Sequence, residues 1–135
     1  MHPALRNSLE QIWRNLPTHS DWEHSFVGHL VEDSEWNVEE FWILHSALVE
    51  IASVAEDSQV IDRDLALAVS TLQQRVLRSV AAHYDTNDAL TITGITAEDL
   101  YRFVERFEMA ILGVYSGEAL PEASFDLVNP LRRDA

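Results

Sequence analysis

The sequence predicts an all-α fold, a single-domain bundle of four main helices with a short additional helix near residues 20–31. Two observations carry this. Glycine and proline, the strongest punctuators of local structure, number only four each among 135 residues. Apolar residues recur at three- and four-residue intervals over long stretches, the period that gathers them on one face of an α-helix. A chain of this length buries roughly 65–70% of the surface its unfolded form exposes, enough for a core without disulfides or a structural metal. It has no cysteine to build either from thiols.

The first helix is expected over 3–16. Pro3 suits a first helical turn, Leu5, Leu9, Ile12, Trp13 and Leu16 share a stripe, and Pro17 ends the run. Residues 18–36 are less clearly patterned: Trp22, Phe26 and Leu30 stand four apart on one helical face, while 26–31 also fits a short extended piece. Asn37, with Glu40 three residues on, reads as a capping box that opens a helix through Val38, Phe41, Trp42, His45, Leu48, Val49 and Ala52 to Ala55. Asp62 caps the next, with Leu65, Ala68, Val69, Leu72, Val76 and Val80 on its core face and Arg75 and Arg78 on its polar side, ending near Tyr84. A polar turn at 85–88 leads into Leu90–Gly94, a buried loop or one short strand. Thr96 with Asp99 opens the last helix, whose stripe is Leu100, Phe103, Val104, Phe107, Ala110, Ile111 and Val114, and Gly117 stands where a helix C-terminal glycine belongs. The bundle domain therefore spans 1–117, and an irregular tail over 118–135 either packs on it or frays.

Charge is the strongest functional signal. The chain carries 23 acidic and 9 basic residues, a formal net charge of −14, which excludes sequence-independent nucleic-acid binding because the phosphate backbone rewards basic stripes. Every basic residue is arginine, a choice that coding bias explains as readily as function. Between Arg14 and Arg63 there is no arginine or lysine, and that segment holds eleven acids: Asp21, Glu23, Glu32, Asp33, Glu35, Glu39, Glu40, Glu50, Glu56, Asp57 and Asp62. The N-terminal residues lack the basic region and apolar run of a secretion signal, and no stretch approaches 18 consecutive apolar residues. A soluble cytoplasmic protein is expected.

Chemistry is hard to find in the residues. Four of the six histidines, His19, His24, His29 and His45, are close in sequence, but their spacings do not bring three ligands to one helical face. His19 and Glu23, four apart, are half a metal site at best, and His45 lies on an apolar stripe where a buried, hydrogen-bonded role is expected. Asp85 and Asn87 begin like a calcium loop, yet Ala89, Leu90 and Thr96 stand where an EF-hand needs an oxygen ligand, glycine and glutamate. There is no nucleophile elbow, phosphate loop or dinucleotide fingerprint. Glu39, Glu40, Glu98 and Asp99 suit the positive ends of helix dipoles. No enzymatic activity, metal or cofactor is expected.

The aromatic residues point toward a partner. Trp22, Trp36 and Trp42 lie inside the acidic segment, and Trp22 and Trp36 flank its poorly patterned part beside Asp21, Glu23, Asp33 and Glu35. Tryptophan anchors ringed by one sign of charge serve protein interfaces as hot spots and for steering. The helical stripe through 38, 41, 42 and 45 is expected to take Trp42 or Phe41 into the core. The expected partner-binding residues are Trp22, Asp33, Glu35, Trp36, Glu39 and Glu40.

The stretch Val38–Leu48, followed by the helix and turn over Asp62–Asp88, in a small, cysteine-free, strongly acidic helical chain, resembles the helical immunity proteins of bacterial polymorphic toxin and contact-dependent inhibition systems. The resemblance is one of character over residues 35–117 and does not extend to the signature of colicin-nuclease immunity proteins. It implies a cytoplasmic protein that binds one cognate, basic toxin domain and blocks its active site or substrate entry. Two other classes fit the residues: a helical interaction or homodimerisation module without inhibitory role, and a small helical metal- or ligand-binding protein.

Overall fold

The computed structural model describes residues 3–55, 58–88 and 90–132. Glu56 and Asp57 of the acidic segment, Ala89 of the calcium-like turn and the last three residues of the tail lie outside them. Five α-helices account for most of the described chain: α1 (Pro3–Arg14), α2 (Phe26–Asp33), α3 (Val38–Val54), α4 (Arg63–Tyr84) and α5 (Ala97–Ser116). Single 3₁₀ turns stand at Trp22–His24 and Glu122–Ser124. None of the helices is long and apolar enough to cross a membrane.

Local signals set most helix ends. Asn37 accepts from the Glu40 N–H, Asp62 from the Leu65 N–H and Thr96 from the Asp99 N–H, so three of the expected caps form. Gly117 ends α5 at φ 76°, a left-handed conformation that costs glycine nothing. The reciprocal half of the capping box at α3 is replaced: the Glu40 carboxylate turns to Arg14 instead. Helix α1 stops two residues before its expected end because Asn15 leaves the helix, its amide donating to the Gln11 carbonyl while its Oδ1 accepts from the Val27 N–H at 2.9 Å. That side chain, 2% exposed, ties the end of α1 to the start of α2.

The ambiguous segment resolves into a turn and a helix. Ser25 caps α2 by accepting from the Gly28 N–H and also donates to the Trp22 carbonyl at 2.7 Å, which seats the 3₁₀ turn on the helix. Gly28 is required there: a β-carbon would lie 1.8 Å from the Trp22 carbonyl oxygen. Phe26 and Leu30 are fully buried as expected, whereas Trp22 belongs to the turn. Ser34 ends α2 in the left-handed region (φ 53°), with the Ser34 and Glu35 N–H groups returning to the Leu30 and His29 carbonyls.

Helix α3 is the central element, packed on α1 and α5, while α4 lies against α2. The polar turn after α4 is closed by Asx-type bonds, Asn87 N–H to Asp85 and Leu90 N–H to Asp88, both 2.9 Å. Residues 90–94 make a single parallel bridge, Glu35 to Thr93, closed by Trp36 N–H to the Thr93 carbonyl and Thr93 N–H to the Ser34 carbonyl. Phe26, Trp36, Phe41, Trp42 and Phe103 form one aromatic cluster with ring centroids 4.8–6.0 Å apart.

The tail packs rather than frays over its described length. Arg106 lies within the apolar stripe of α5 and is 2% exposed; one of its terminal nitrogens reaches both Glu122 oxygens, at 2.6 and 2.5 Å. The Phe125 ring covers the guanidinium at 3.8 Å, and Glu122 also accepts from the Asn129 N–H at 2.8 Å. The Asn129 amide in turn donates to Nδ1 of His45 and to Ser46. His45 is thus the buried, hydrogen-bonded core residue its stripe implied.

That arrangement has a pH signature. Burial, and then the charge of Arg106, push His45 down to about 3, with Glu122 acting the other way and Arg132 the same way. The folded chain keeps His45 neutral while the unfolded chain protonates it near the ordinary 6.5. His45 therefore stabilises fully above that value, and the contribution is lost as pH falls from about 6.5 toward 3, by up to about 1.4 kcal/mol per pH unit. Burial opposes the Glu122 carboxylate, but Arg106 and the Asn129 N–H hold its pKa below the usual range, which adds a further loss in stronger acid. Urea denaturation between pH 7.5 and 4 should show this slope, and His45→Gln should flatten it. An equal slope in both proteins would remove His45 as its source.

Candidate partner-binding face

The acidic segment is organised around Arg14 at the end of α1. Its Nε donates to Asp21 at 2.5 Å, one terminal nitrogen donates to Glu40 at 2.5 Å, and the other donates to the His24 carbonyl at 3.0 Å. Burial works against the guanidinium, but Glu40 and Asp21 hold its pKa above the ordinary value. Asp21 also bonds His24 at 2.7 Å, an exposed pair that lowers the pKa of Asp21 and raises that of His24. These contacts fix the 17–25 connection across the base of α3. They also neutralise Asp21 and Glu40, and further along the segment Glu50 lies 3.8 Å from Arg132.

Trp22 sits half-buried at the edge of the core, its indole N–H making a long bond of 3.3 Å to Glu32. With Glu23, His24, Glu32 and Asp33 it lines a notch of about 490 Å³. From there the acids continue through His29, whose Nδ1 lies 3.8 Å from Asp33 and 3.5 Å from Glu35. Glu35 lies 3.5 Å from the Asn37 amide that caps α3, and Glu39 is exposed in the first turn of that helix. Glu23, Asp33 and Glu35 are 75%, 64% and 44% exposed. Glu23, Glu32, Asp33, Glu35 and Glu39 have no arginine partner among the described residues.

The structure therefore brings together Trp22, Asp33 and Glu35, with Glu39 following on α3, and removes two expected members. Trp36 is 1% exposed, wedged edge-on against Phe26 and stacked on Phe41, so it is a core residue and presents nothing to a partner. Glu40 is mostly covered and committed to Arg14. His19 and Glu23, four apart in sequence, do not act as a pair: His19 donates through Nε2 to Glu10 and accepts the Asp21 N–H at Nδ1. Among the described residues no group of three or more histidines and carboxylates is placed to hold a metal ion.

The Arg106–Glu122–Asn129–His45 network is not announced by the sequence, apart from the burial of His45. Its other visible trace is Arg106 itself, an arginine at an i+3 position inside the stripe Phe103, Phe107 and Ala110. Comparison with family models, with characterised proteins and with solved structures finds no match to this chain.

Proposed function

We propose that this chain is an immunity protein, which binds a cognate toxin domain through the face formed by the 22–24 turn, the end of α2 and the first turn of α3. The observation that carries the reading is the cluster of arginine-free carboxylates around the half-buried Trp22 indole. Clustered like charges repel one another, and a basic partner relieves that repulsion on binding. Such a face accelerates encounter above the neutral range of about 10⁵–10⁶ M⁻¹s⁻¹, while a tryptophan in a notch supplies an anchor that slows dissociation. A basic nuclease domain fits best, because its nucleic-acid site must itself be cationic and an array of carboxylates can occupy it. Action against such a toxin places the complex in the cytoplasm.

The test uses the toxin domain encoded beside this gene, sought as the variable C-terminal part of a large secreted protein. Co-expression of this chain should rescue growth of cells producing that domain. The combined change Asp33→Arg, Glu35→Arg and Glu39→Arg should slow association at low ionic strength by about ten- to a hundredfold and flatten its salt dependence. Glu40 is left in place because reversing it would disturb Arg14 and the fold. Unchanged association rates in the triple variant would dismiss the acidic face.

A further inference from the structure

Beside the acidic face, between the first turns of α3 and α5 and the tail, runs a groove of about 650 Å³ walled by Val38, Trp42, Ile95, Phe103, Leu127 and Val128. Val38 and Val128 are 36% and 40% exposed, so its lips are apolar and open to solvent. The one charged residue lining it is Asp99, half-exposed and held only loosely by Arg102 at 3.8 Å. Two further exposed acids adjoin its walls in sequence, Glu39 next to Val38 and Asp126 next to Leu127. The groove adjoins the acidic face: a β-carbon at Gly94, one of its lining residues, would lie 3.5 Å from Cγ of Glu35.

We infer that this groove receives an apolar side chain of a protein partner flanked by arginine or lysine. The inference rests on the immunity reading for the partner being a protein, and deepens it by naming what the partner must present. With Trp36 in the core, the second anchor of the complex is a hole in this chain filled by a knob from the partner. Charge selects the occupant. The carboxylates of Asp99 in the wall and Glu35 beside Gly94 complement basic flanks, and a second copy of this chain, with its net charge of −14, would bring carboxylates against carboxylates. An apolar group removed from water in the groove supplies affinity that charge alone, screened by salt, does not.

The experiment titrates the whole protein with three blocked hexapeptides and follows backbone amides by NMR. Arg-Arg-Leu-Phe-Arg-Arg should move the amides of Val38, Ile95 and Val128. Glu-Glu-Leu-Phe-Glu-Glu should move none of them, and Arg-Arg-Ser-Ser-Arg-Arg should leave the groove amides in place. Val38→Ser and Val128→Ser, which remove apolar surface without adding charge, both at solvent-exposed lips and so compatible with folding, should each weaken the first peptide by about tenfold, the equivalent of roughly 1.4 kcal/mol. Three results would overturn the proposal: shifts confined to residues 21–35, affinity unchanged in both variants, or the same amides moving with protein concentration alone, which would mark a second copy as the occupant. No toxin enters this titration, so a groove that fails is read from silent amides and an immunity role that fails is read from the growth assay.

Discussion

Replacing Glu122 by alanine is expected to lower the stability of the protein by about 3–5 kcal/mol, the usual cost of leaving one member of a buried ion pair uncompensated. For a fold whose total stability is on the order of 5–15 kcal/mol, that is a large fraction. The size follows from the surroundings of Arg106. Its side chain is 2% exposed, it lies in the apolar stripe of α5, and among the described residues Glu122 is the only carboxylate bonded to it. The Phe125 ring offers its face to the guanidinium but cannot neutralise it. The same change strips the Asn129 N–H of its acceptor, so the bond from Asn129 to His45 loses its support and the tail loses two attachments at once. Urea denaturation should read the loss, and hydrogen exchange at Asn129 and Leu131 should show where it falls. The paired change Arg106→Met with Glu122→Leu should recover part of it, because the pair removes the buried charge instead of orphaning it. A loss below about 1 kcal/mol for Glu122→Ala would mean that water reaches Arg106 and the tail is not pinned by this pair.

What the sequence made legible was the part written in neighbouring residues. Asn37, Asp62 and Thr96 each bond a backbone N–H three residues on, so their chemistry predicts α3, α4 and α5 without reference to anything distant. Asp85 and Asp88 close their own turn for the same reason. The failures are non-local. Helix α1 ends early because Asn15 has a partner twelve residues ahead, on α2. Glu40 looked free because the box it belongs to is local, whereas Arg14 meets it from 26 residues away. Trp36 looked exposed because it follows a poorly patterned segment among acids. It is carried inward by the bridge from Glu35 to Thr93, and no spacing within residues 20–40 encodes that pairing. The candidate face was thus legible as a charge and only in part as a set of contacts: Asp33, Glu35 and Glu39 could be read from composition alone and stay without arginine partners among the described residues, whereas the apolar groove beside them, assembled from α3, α5 and the tail, had no trace in one segment.

The two flanking tryptophans should therefore separate in experiment. Trp36→Ala is expected to cost about 3–5 kcal/mol, as for other buried large aromatic side chains reduced to alanine, because it empties the centre of the Phe26, Phe41 and Phe103 cluster. Trp36→Phe should cost much less. The indole Nε1 is buried without a hydrogen-bond partner, a state that itself costs about 1–3 kcal/mol, and phenylalanine keeps a ring in contact with its neighbours while dispensing with that donor. Trp22→Ala should lower stability by less than Trp36→Ala, since its ring packs only at the edge of the core and its bond to Glu32 is long. On the immunity reading the order reverses for the complex: Trp22→Ala speeds toxin dissociation, while Trp36→Phe leaves both rates unchanged. Denaturation curves for the three variants check the first ordering, and dissociation kinetics check the second. A Trp36→Phe protein that folds stably yet releases the toxin faster would return Trp36 to the interface and contradict its burial in the free chain.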